Sequence, residues 1–155
     1  MSWLTKCCVA IMFLVCSTSK LTAQDITGAW SGYFITDKAM AGYSDTFRFG
    51  IRIEKNKRGK FTATTLSHQG VFYAEASARV SFNNEDHTYN IDEKRLIRAS
   101  PESNIASPCL MFCTLSYSKT EIGEELTGNF RSHSTGKSRM DCGGGSIYLR
   151  KLESD

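Results

Sequence analysis

The sequence predicts an all-β fold, an antiparallel up-and-down barrel of about eight strands. Short segments in which apolar and polar residues alternate recur along the chain, which is typical of half-buried strands. A few turn residues separate most of these segments, and no amphipathic helical pattern of ten residues interrupts them. Tight connections pair consecutive strands, and closure removes exposed sheet edges, so we expect the meander to close into a barrel.

The first 23 residues have the pattern of a secretory signal. One early cation, Lys6, precedes an apolar run of ten residues from Cys7 to Cys16, and small polar residues follow. Such a run is too short for a membrane-spanning helix, which needs about 20 residues. We predict a cleaved signal peptide over residues 1–23, no integral membrane segment, and a secreted or periplasmic location. Acylation at Cys16 is less favoured because Val15 is bulkier than the residue usual before a lipoprotein cysteine.

Residues 24–155 are expected to form a single β-barrel domain with a nearly balanced charge. Loss of the signal would remove Lys6 and Lys20 and no acids, which leaves 17 basic and 16 acidic residues. This balance gives no argument for a nucleic-acid partner, which favours a strongly basic face. The remaining chain is long enough for one core and too short for two, and we expect a monomer.

The first three predicted strands are the most regular. ITGAWSGYFIT, residues 26–36, is the first of them. In the second, Thr46 to Lys55, apolar residues alternate with polar ones over the whole segment. Turn residues in NKRGK then lead into FTATTLS, residues 61–67, and the two segments predict a hairpin.

The later segments continue the same pattern. In VFYAEASARVSF, residues 71–82, the period of two persists for ten residues, which favours a strand over an alanine-rich helix. The others are HTYNID (87–92), EKRLIRAS (93–100), CLMFCTLSYS (109–118), EELTGNFRS (124–132) and GSIYLRK (145–151). Both prolines lie in SPESNIASP, residues 100–108, which predicts a loop. The glycines of DCGGGS, residues 141–146, predict a sharp turn before the last strand, because the lysine and the helix of a phosphate-binding loop are absent.

One disulfide is predicted among the three cysteines that follow the signal, Cys109, Cys113 and Cys142. Four steps along a strand place the Cα atoms of Cys109 and Cys113 about 13 Å apart, beyond the roughly 7 Å that a disulfide spans, so Cys142 is one partner. The sequence gives little basis for choosing Cys109 or Cys113 as the other partner. We favour Cys109 because it follows Pro108 at the strand entrance, and Cys113 is then a buried thiol.

Trp30 is the only tryptophan after the predicted signal, and Gly28 and Gly32 share its strand face. We expect its ring to close one end of the barrel, with a cation of the last strand over the ring face. Parity favours Lys151 for that cation because it shares a face with the apolar residues of its strand. Arg150 remains an alternative because guanidinium is the better stacking group.

These residues resemble a known family grouping. A glycine, any residue and a tryptophan on the first strand, with a basic residue on the last, is similar to the calycin pattern of lipocalins and avidins. ITGAW and ELTGNF also resemble the ITG-x-W opening and the LTG-x-aromatic strands of avidin-like barrels. The resemblance implies a barrel that binds a ligand inside, a small apolar or amphipathic molecule in lipocalin-like barrels. Biotin is not expected, because the further tryptophans of the avidin pattern are missing.

The sequence therefore predicts a non-catalytic binding protein. Its candidate pocket-lining residues alternate along the second and fourth segments and are Phe47, Phe49, Ile51, Phe72, Ala74, Ala76 and Ala78. The alanines either leave space for a ligand or face larger side chains across a filled core. The alternative is a protein-interaction barrel, such as a secreted protease inhibitor, that acts through loops Asp37 to Asp45 or Ser100 to Ser107.

No motif in the chain predicts catalysis, a metal site or a cofactor. The three histidines, His68, His87 and His133, lie at predicted strand ends or in loops and lack the close spacing of zinc ligands. The G-x-S-x-G pattern of a nucleophile elbow is also missing.

Overall fold

The computed structural model describes residues 23–37, 45–101, 109–135 and 140–153. Within these ranges the chain forms β-strands and no helix. The strands are β1 (Gly28–Thr36), β2 (Thr46–Lys55), β3 (Phe61–Gln69), β4 (Phe72–Asn83), β5 (Thr88–Ala99), β6 (Cys109–Thr120), β7 (Gly123–Ser134) and β8 (Asp141–Lys151). Each strand pairs antiparallel with the next, and β1 also pairs with β8, so the sheet closes into an eight-stranded barrel. The predicted fold class is confirmed.

Nearly all of the predicted signal, including Cys16, lies outside the described residues. In the part of the chain that the structure describes, no helix has the length and apolarity to cross a membrane.

The segments HTYNID and EKRLIRAS form one continuous strand, β5. Its pairing with β4 runs over the full strand, whereas its pairing with β6 stops at Asp92 and Phe112. The register against β4 shifts twice, which leaves Lys94 and Ile97 without an opposite residue. Such bulges bend a strand and increase its twist, so the second half of β5 turns away from β6.

The expectation of a turn over DCGGGS is wrong, because β8 begins at Asp141 and includes all three glycines. A Cβ atom on Gly145 would lie 1.9 Å from the carbonyl oxygen of Ile35, on the neighbouring strand β1. A Cβ on Gly32 of β1 would lie 2.0 Å from the carbonyl oxygen of Tyr148 on β8. Glycine at these positions lets the first and last strands approach closely enough to close the barrel.

The two ends of the barrel differ in their connections. The Trp30 end, where β1 begins and β8 ends, carries the short turns β2–β3, β4–β5 and β6–β7. The Phe47 end, where β1 ends and β2 begins, carries the short β3–β4 turn and the β1–β2, β5–β6 and β7–β8 connections, which include residues outside the described ranges. Inward-facing apolar side chains from all eight strands meet between the two ends in one core.

Candidate functional site

The Trp30 end is closed by the segment that precedes β1 together with Trp30 itself. Ile26 and Trp30 are 0% and 1% exposed. The indole Nε1 of Trp30 donates a hydrogen bond of 2.9 Å to the carbonyl oxygen of Ile26. The hydroxyl of Tyr89, on β5, donates to the carbonyl oxygen of Gln24 at 2.6 Å. These bonds tie the segment before β1 across the end of the barrel, so this end is filled by protein.

Lys151 is the cation beside the tryptophan. Its Nζ lies 5.5 Å from the ring centroid of Trp30 and 2.9 Å from a carboxylate oxygen of Glu124. The hydrogen bond from Lys151 lowers the pKa of Glu124. Arg150 points to the outer face of β8, where it pairs with Glu125 at 2.9 Å. Arg150 is therefore not part of the plug, because strand alternation places it on the opposite side of the sheet.

The backbone of Gly28 lies against the side chain of Lys151. Its φ of +120° lies in a region that side chains rarely adopt, and a Cβ there would lie 3.3 Å from Cε of Lys151. The ring of Tyr117 packs edge-on against Trp30, with ring centroids 6.4 Å apart, and completes the enclosure of the indole.

The structure contains the disulfide between Cys109 and Cys142, whose Cα atoms are 6.4 Å apart. It links the beginnings of β6 and β8 across β7 at the Phe47 end. Such a bond is compatible with an extracytoplasmic location. Cys113 is a free thiol with no exposed surface, and burial raises its pKa well above the ordinary value.

The predicted pocket-lining residues all face inward, but they divide into two groups. Phe49, Ile51, Ala76 and Ala78 are buried, whereas Phe47, Phe72 and Ala74, nearer the Phe47 end, are half-buried. The first group belongs to the filled part of the barrel. Only the second group lies where a ligand could reach it.

Aromatic rings occupy much of the barrel on the side of β1, β2 and β7. The ring of Phe34 stacks on Phe47 with centroids 4.7 Å apart, and it meets the rings of Phe49 and Phe130 at 5.6 and 5.0 Å. The small side chains of β4 face this cluster across the interior. Large side chains therefore occupy the wall formed by β1, β2 and β7, and small ones the wall formed by β4.

Glu93 is a buried carboxylate that the sequence analysis does not single out. It is 7% exposed and accepts hydrogen bonds from the hydroxyl of Thr65 and from the backbone N–H of Met111, the latter at 2.7 Å. Burial raises its pKa. It lies just beyond the last β5–β6 residue pair, at Asp92, so its carboxylate replaces a backbone partner for β6. Glu93 follows Tyr89 and Ile91 at every second position, and this alternation is the sequence signal that would have placed Glu93 on the inner face of the barrel.

The remaining candidate residues are dispersed. His68 lies on β3, His87 in the turn before β5, and His133 on β7. Among the described residues, no three or more histidine, cysteine or acidic side chains are grouped to hold a metal ion. The loops predicted for protein binding, Asp37 to Asp45 and Ser100 to Ser107, lie outside the described residues except at their ends.

Comparison of the chain with protein-family models, curated proteins and solved structures found no match. The resemblance to calycins therefore stays a prediction, because an eight-stranded barrel alone does not identify that family.

Proposed function

We propose that this chain is a non-catalytic extracytoplasmic binding protein that holds a small amphipathic ligand at the Phe47 end of its barrel. The observation that carries the proposal is half-buried inward-facing apolar surface at the Phe47 end, whereas the segment before β1 fills the other end, beside half-buried Phe61, Phe82 and Tyr117. Trp30 and Ile26 are almost completely buried at one end, whereas Phe47, Phe72 and Ala74 are half-buried at the other. Inward-facing apolar surface that remains partly in contact with water favours a ligand that covers it.

The side chains deeper in the barrel limit how far a ligand could enter from the Phe47 end. The hydrogen-bonded pair of Thr65 and Glu93 and the ring of Phe49 occupy the next level of the barrel. The ligand would therefore sit in the mouth and not extend through the interior. Ser67, half-buried, adds a hydroxyl beside the half-buried Ala74 and donates to its carbonyl oxygen at 3.4 Å. A mouth that combines aromatic, methyl and hydroxyl groups suits a ligand with one apolar and one polar part.

The two buried reactive groups argue for binding and against catalysis. The carboxylate of Glu93 accepts two hydrogen bonds inside the barrel, and the Cys113 thiol is fully buried with a raised pKa. A nucleophilic cysteine needs access and a lowered pKa, and a general base must reach its substrate. Neither group meets its requirement.

Native mass spectrometry of the protein purified from its own host tests the proposal. We expect a small molecule to accompany the protein and to be lost from Ala74→Phe, whose larger side chain fills the mouth. Ala29→Phe is the matched control, because Ala29 is half-buried on the outer face of β1, opposite Arg52. Urea unfolding midpoints establish that both variants keep the barrel intact.

Retention of the same molecule at the same occupancy by Ala74→Phe would contradict a site in the mouth. A protein partner of fixed stoichiometry, with no small molecule, would instead support the protein-interaction alternative.

A further inference from the structure

An open groove lies on the outer surface of the barrel, over β1, β2 and β3. Tyr33, Arg48 and His68 line it from three neighbouring strands, and each lies directly opposite the next in the strand register. Ser31 also lines the groove, and Thr46 and Gln69 lie towards the Phe47 end. We call this feature the outer groove. It is separate from the mouth of the barrel, because these side chains project from the opposite face of the sheet.

Tyr33 gives the outer groove a fixed aromatic wall. Its side chain is 43% exposed, yet its ring stacks on Tyr148 of β8, with centroids 5.3 Å apart and planes 28° apart. A ring held in this way loses little freedom when a ligand packs against it. Tyr33 is therefore prepared for contact with a ring-shaped ligand.

The charge of this face favours an anion. The outward positions of β1, β2 and β3 carry Arg48 and Arg52, and Glu54 is the one carboxylate among them, at the Trp30 end. Asp45, just before β2, accepts a hydrogen bond from the hydroxyl of Thr46. Arg48 thus has no acidic side chain opposite it on either neighbouring strand.

Three polar side chains of the groove are open to a ligand. They are the hydroxyl of Ser31, the guanidinium of Arg48 and the imidazole of His68. Within the described residues, none of the three makes a hydrogen bond, ion pair or ring contact. The amide of Gln69 donates to the carbonyl oxygen of Thr46 at 3.0 Å and joins β2 to β3 at one end. A guanidinium in this setting can bind a carboxylate through two parallel hydrogen bonds.

We propose that the outer groove binds a carboxylated sugar unit of an acidic glycan. The carboxylate pairs with Arg48, one face of the sugar ring packs against Tyr33, and ring hydroxyls bond to His68 and Ser31. Several polar groups beside a single aromatic wall match a polyhydroxylated anion better than an apolar molecule. The three strands span about 10 Å, and six residues of a strand extend about 20 Å, so such a patch covers about 200 Å², far less than the roughly 800 Å² per partner of a stable protein interface.

Titration with tetragalacturonate, and with its fully methyl-esterified form, tests the proposal by calorimetry at low salt. The ester keeps the sugar rings and removes the charge. We expect the acid to bind at least about tenfold more tightly than the ester, because only the acid can pair with Arg48. Arg48→Ala and Tyr33→Ala should each weaken binding of the acid by about tenfold or more, and Arg48→Lys should restore only part of it because the planar fork is lost.

Matched controls are available on the same barrel. Arg79→Ala removes an exposed arginine from β4, and Phe112→Ala removes an aromatic side chain, 41% exposed, from the outer face of β6. Both should leave the affinity unchanged. Unfolding midpoints equal to that of the parent protein show that each variant is folded.

Several outcomes would overturn the proposal. They are equal affinity for acid and ester, an equal loss from Arg79→Ala and Arg48→Ala, or no saturable binding of tetragalacturonate. An oligoglutamate of the same charge that binds equally well would assign the groove to acidic peptides and not to sugars.

Discussion

The two ends of the barrel are closed by different physical means. At the Trp30 end, Ile26, Trp30 and Tyr89 fill the space, and short turns connect the strands. At the Phe47 end, a disulfide and the buried carboxylate of Glu93 hold strands that pair less completely. Packing and the hydrogen bonds of Trp30 and Tyr89 secure the first end, whereas the second depends on a covalent bond and a side-chain hydrogen bond between strands. The second end can therefore leave apolar surface half-buried without losing its strand order.

The seam between β5 and β6 shows where this difference arises. These strands share five residue pairs, from Thr88–Ser116 to Asp92–Phe112, whereas β6 and β7 pair from Cys109–Ser134 to Thr120–Gly123. The short ladder lies toward the Trp30 end, so the two strands separate as they approach the Phe47 end. The disulfide anchors β6 on the far side of this gap.

The largest expected effect is the loss of the plug. Trp30→Ala should lower the free energy of unfolding by about 3 to 5 kcal/mol, because it removes a large buried ring and its hydrogen bond to Ile26. Phe47→Ala is the counterpart at the other end and should have a smaller effect, since Phe47 is only half-buried. Urea unfolding at neutral pH measures both. Equal losses would mean that the two ends do not differ in packing.

Removal of the disulfide tests the opposite end. The double variant Cys109→Ser, Cys142→Ser opens a loop of 33 residues, for which chain entropy gives a loss of about 3 to 4 kcal/mol. Cys113→Ala is the control, because it changes a buried thiol and leaves the crosslink in place. We also expect faster amide hydrogen exchange at the start of β6 and of β8, with little change around Trp30. Uniform acceleration over the barrel would contradict separate support for the two ends.

Sequence periodicity predicted the closed end better than the open end. The faces of Trp30 and Lys151 follow from strict alternation in short, regular strands, and alternation persists there because nothing interrupts the ladder. The start of β8 was missed because three glycines look like a turn locally, and only the approach of β1 explains them. The partners of Glu93 depend on bulges in β5, which align residues distant in sequence.

The outer groove illustrates a second limit of the sequence. Tyr33, Arg48 and His68 lie on three different strands, and they form a row only through the register of β1 against β2 and of β2 against β3. Each appears alone as an ordinary outward residue. Register depends on the whole closed sheet, so no local pattern predicts this row.

Substitution of Glu93, at the seam between β5 and β6, should have an intermediate effect on the free energy of unfolding. Glu93→Ala leaves the N–H of Met111 and the hydroxyl of Thr65 without this acceptor, and we expect a loss of about 1 to 3 kcal/mol in unfolding free energy. Glu93→Gln keeps an acceptor oxygen and should be less damaging. If alanine and glutamine variants are equally stable, the hydrogen bonds of Glu93 do not hold the seam.

Glu93 should also give stability a definite pH dependence. Its pKa is raised in the folded barrel by burial, whereas the unfolded value is about 4.3. The folded state therefore binds the proton more tightly than the unfolded state. The resulting contribution of Glu93 to the free energy of unfolding is complete below about pH 4.3 and is lost as the pH rises through the folded pKa. The unfolding free energy of the parent protein, relative to Glu93→Gln, should fall across that window. Glu54→Gln, at an exposed position on β2, serves as the control; a relative stability that rises with pH would contradict the assignment.

The smallest expected effects on the free energy of unfolding are those of the two cations at the end of β8, Lys151 and Arg150. Lys151→Met removes the charge beside Trp30 and the partner of Glu124, and should lower the unfolding free energy by about 0.5 to 2 kcal/mol. Arg150→Met removes an outer ion pair whose arginine side chain is 55% exposed, for which about 0 to 1 kcal/mol is expected.

Two further readouts distinguish these cations even where the energies are close. Trp30 is the one tryptophan of residues 24–155, so its fluorescence should shift in Lys151→Met and stay unchanged in Arg150→Met. Lys151 also lowers the pKa of Glu124 in the folded protein. Ionised Glu124 therefore stabilises the fold above its unfolded pKa of about 4.3, and this stabilisation is lost as the pH falls through the folded pKa. Lys151→Met should weaken this loss in acid. Identical emission and acid profiles for the two variants would show that Lys151 adds nothing specific to the closed end, which would then depend on apolar packing and the hydrogen bonds of Trp30 and Tyr89.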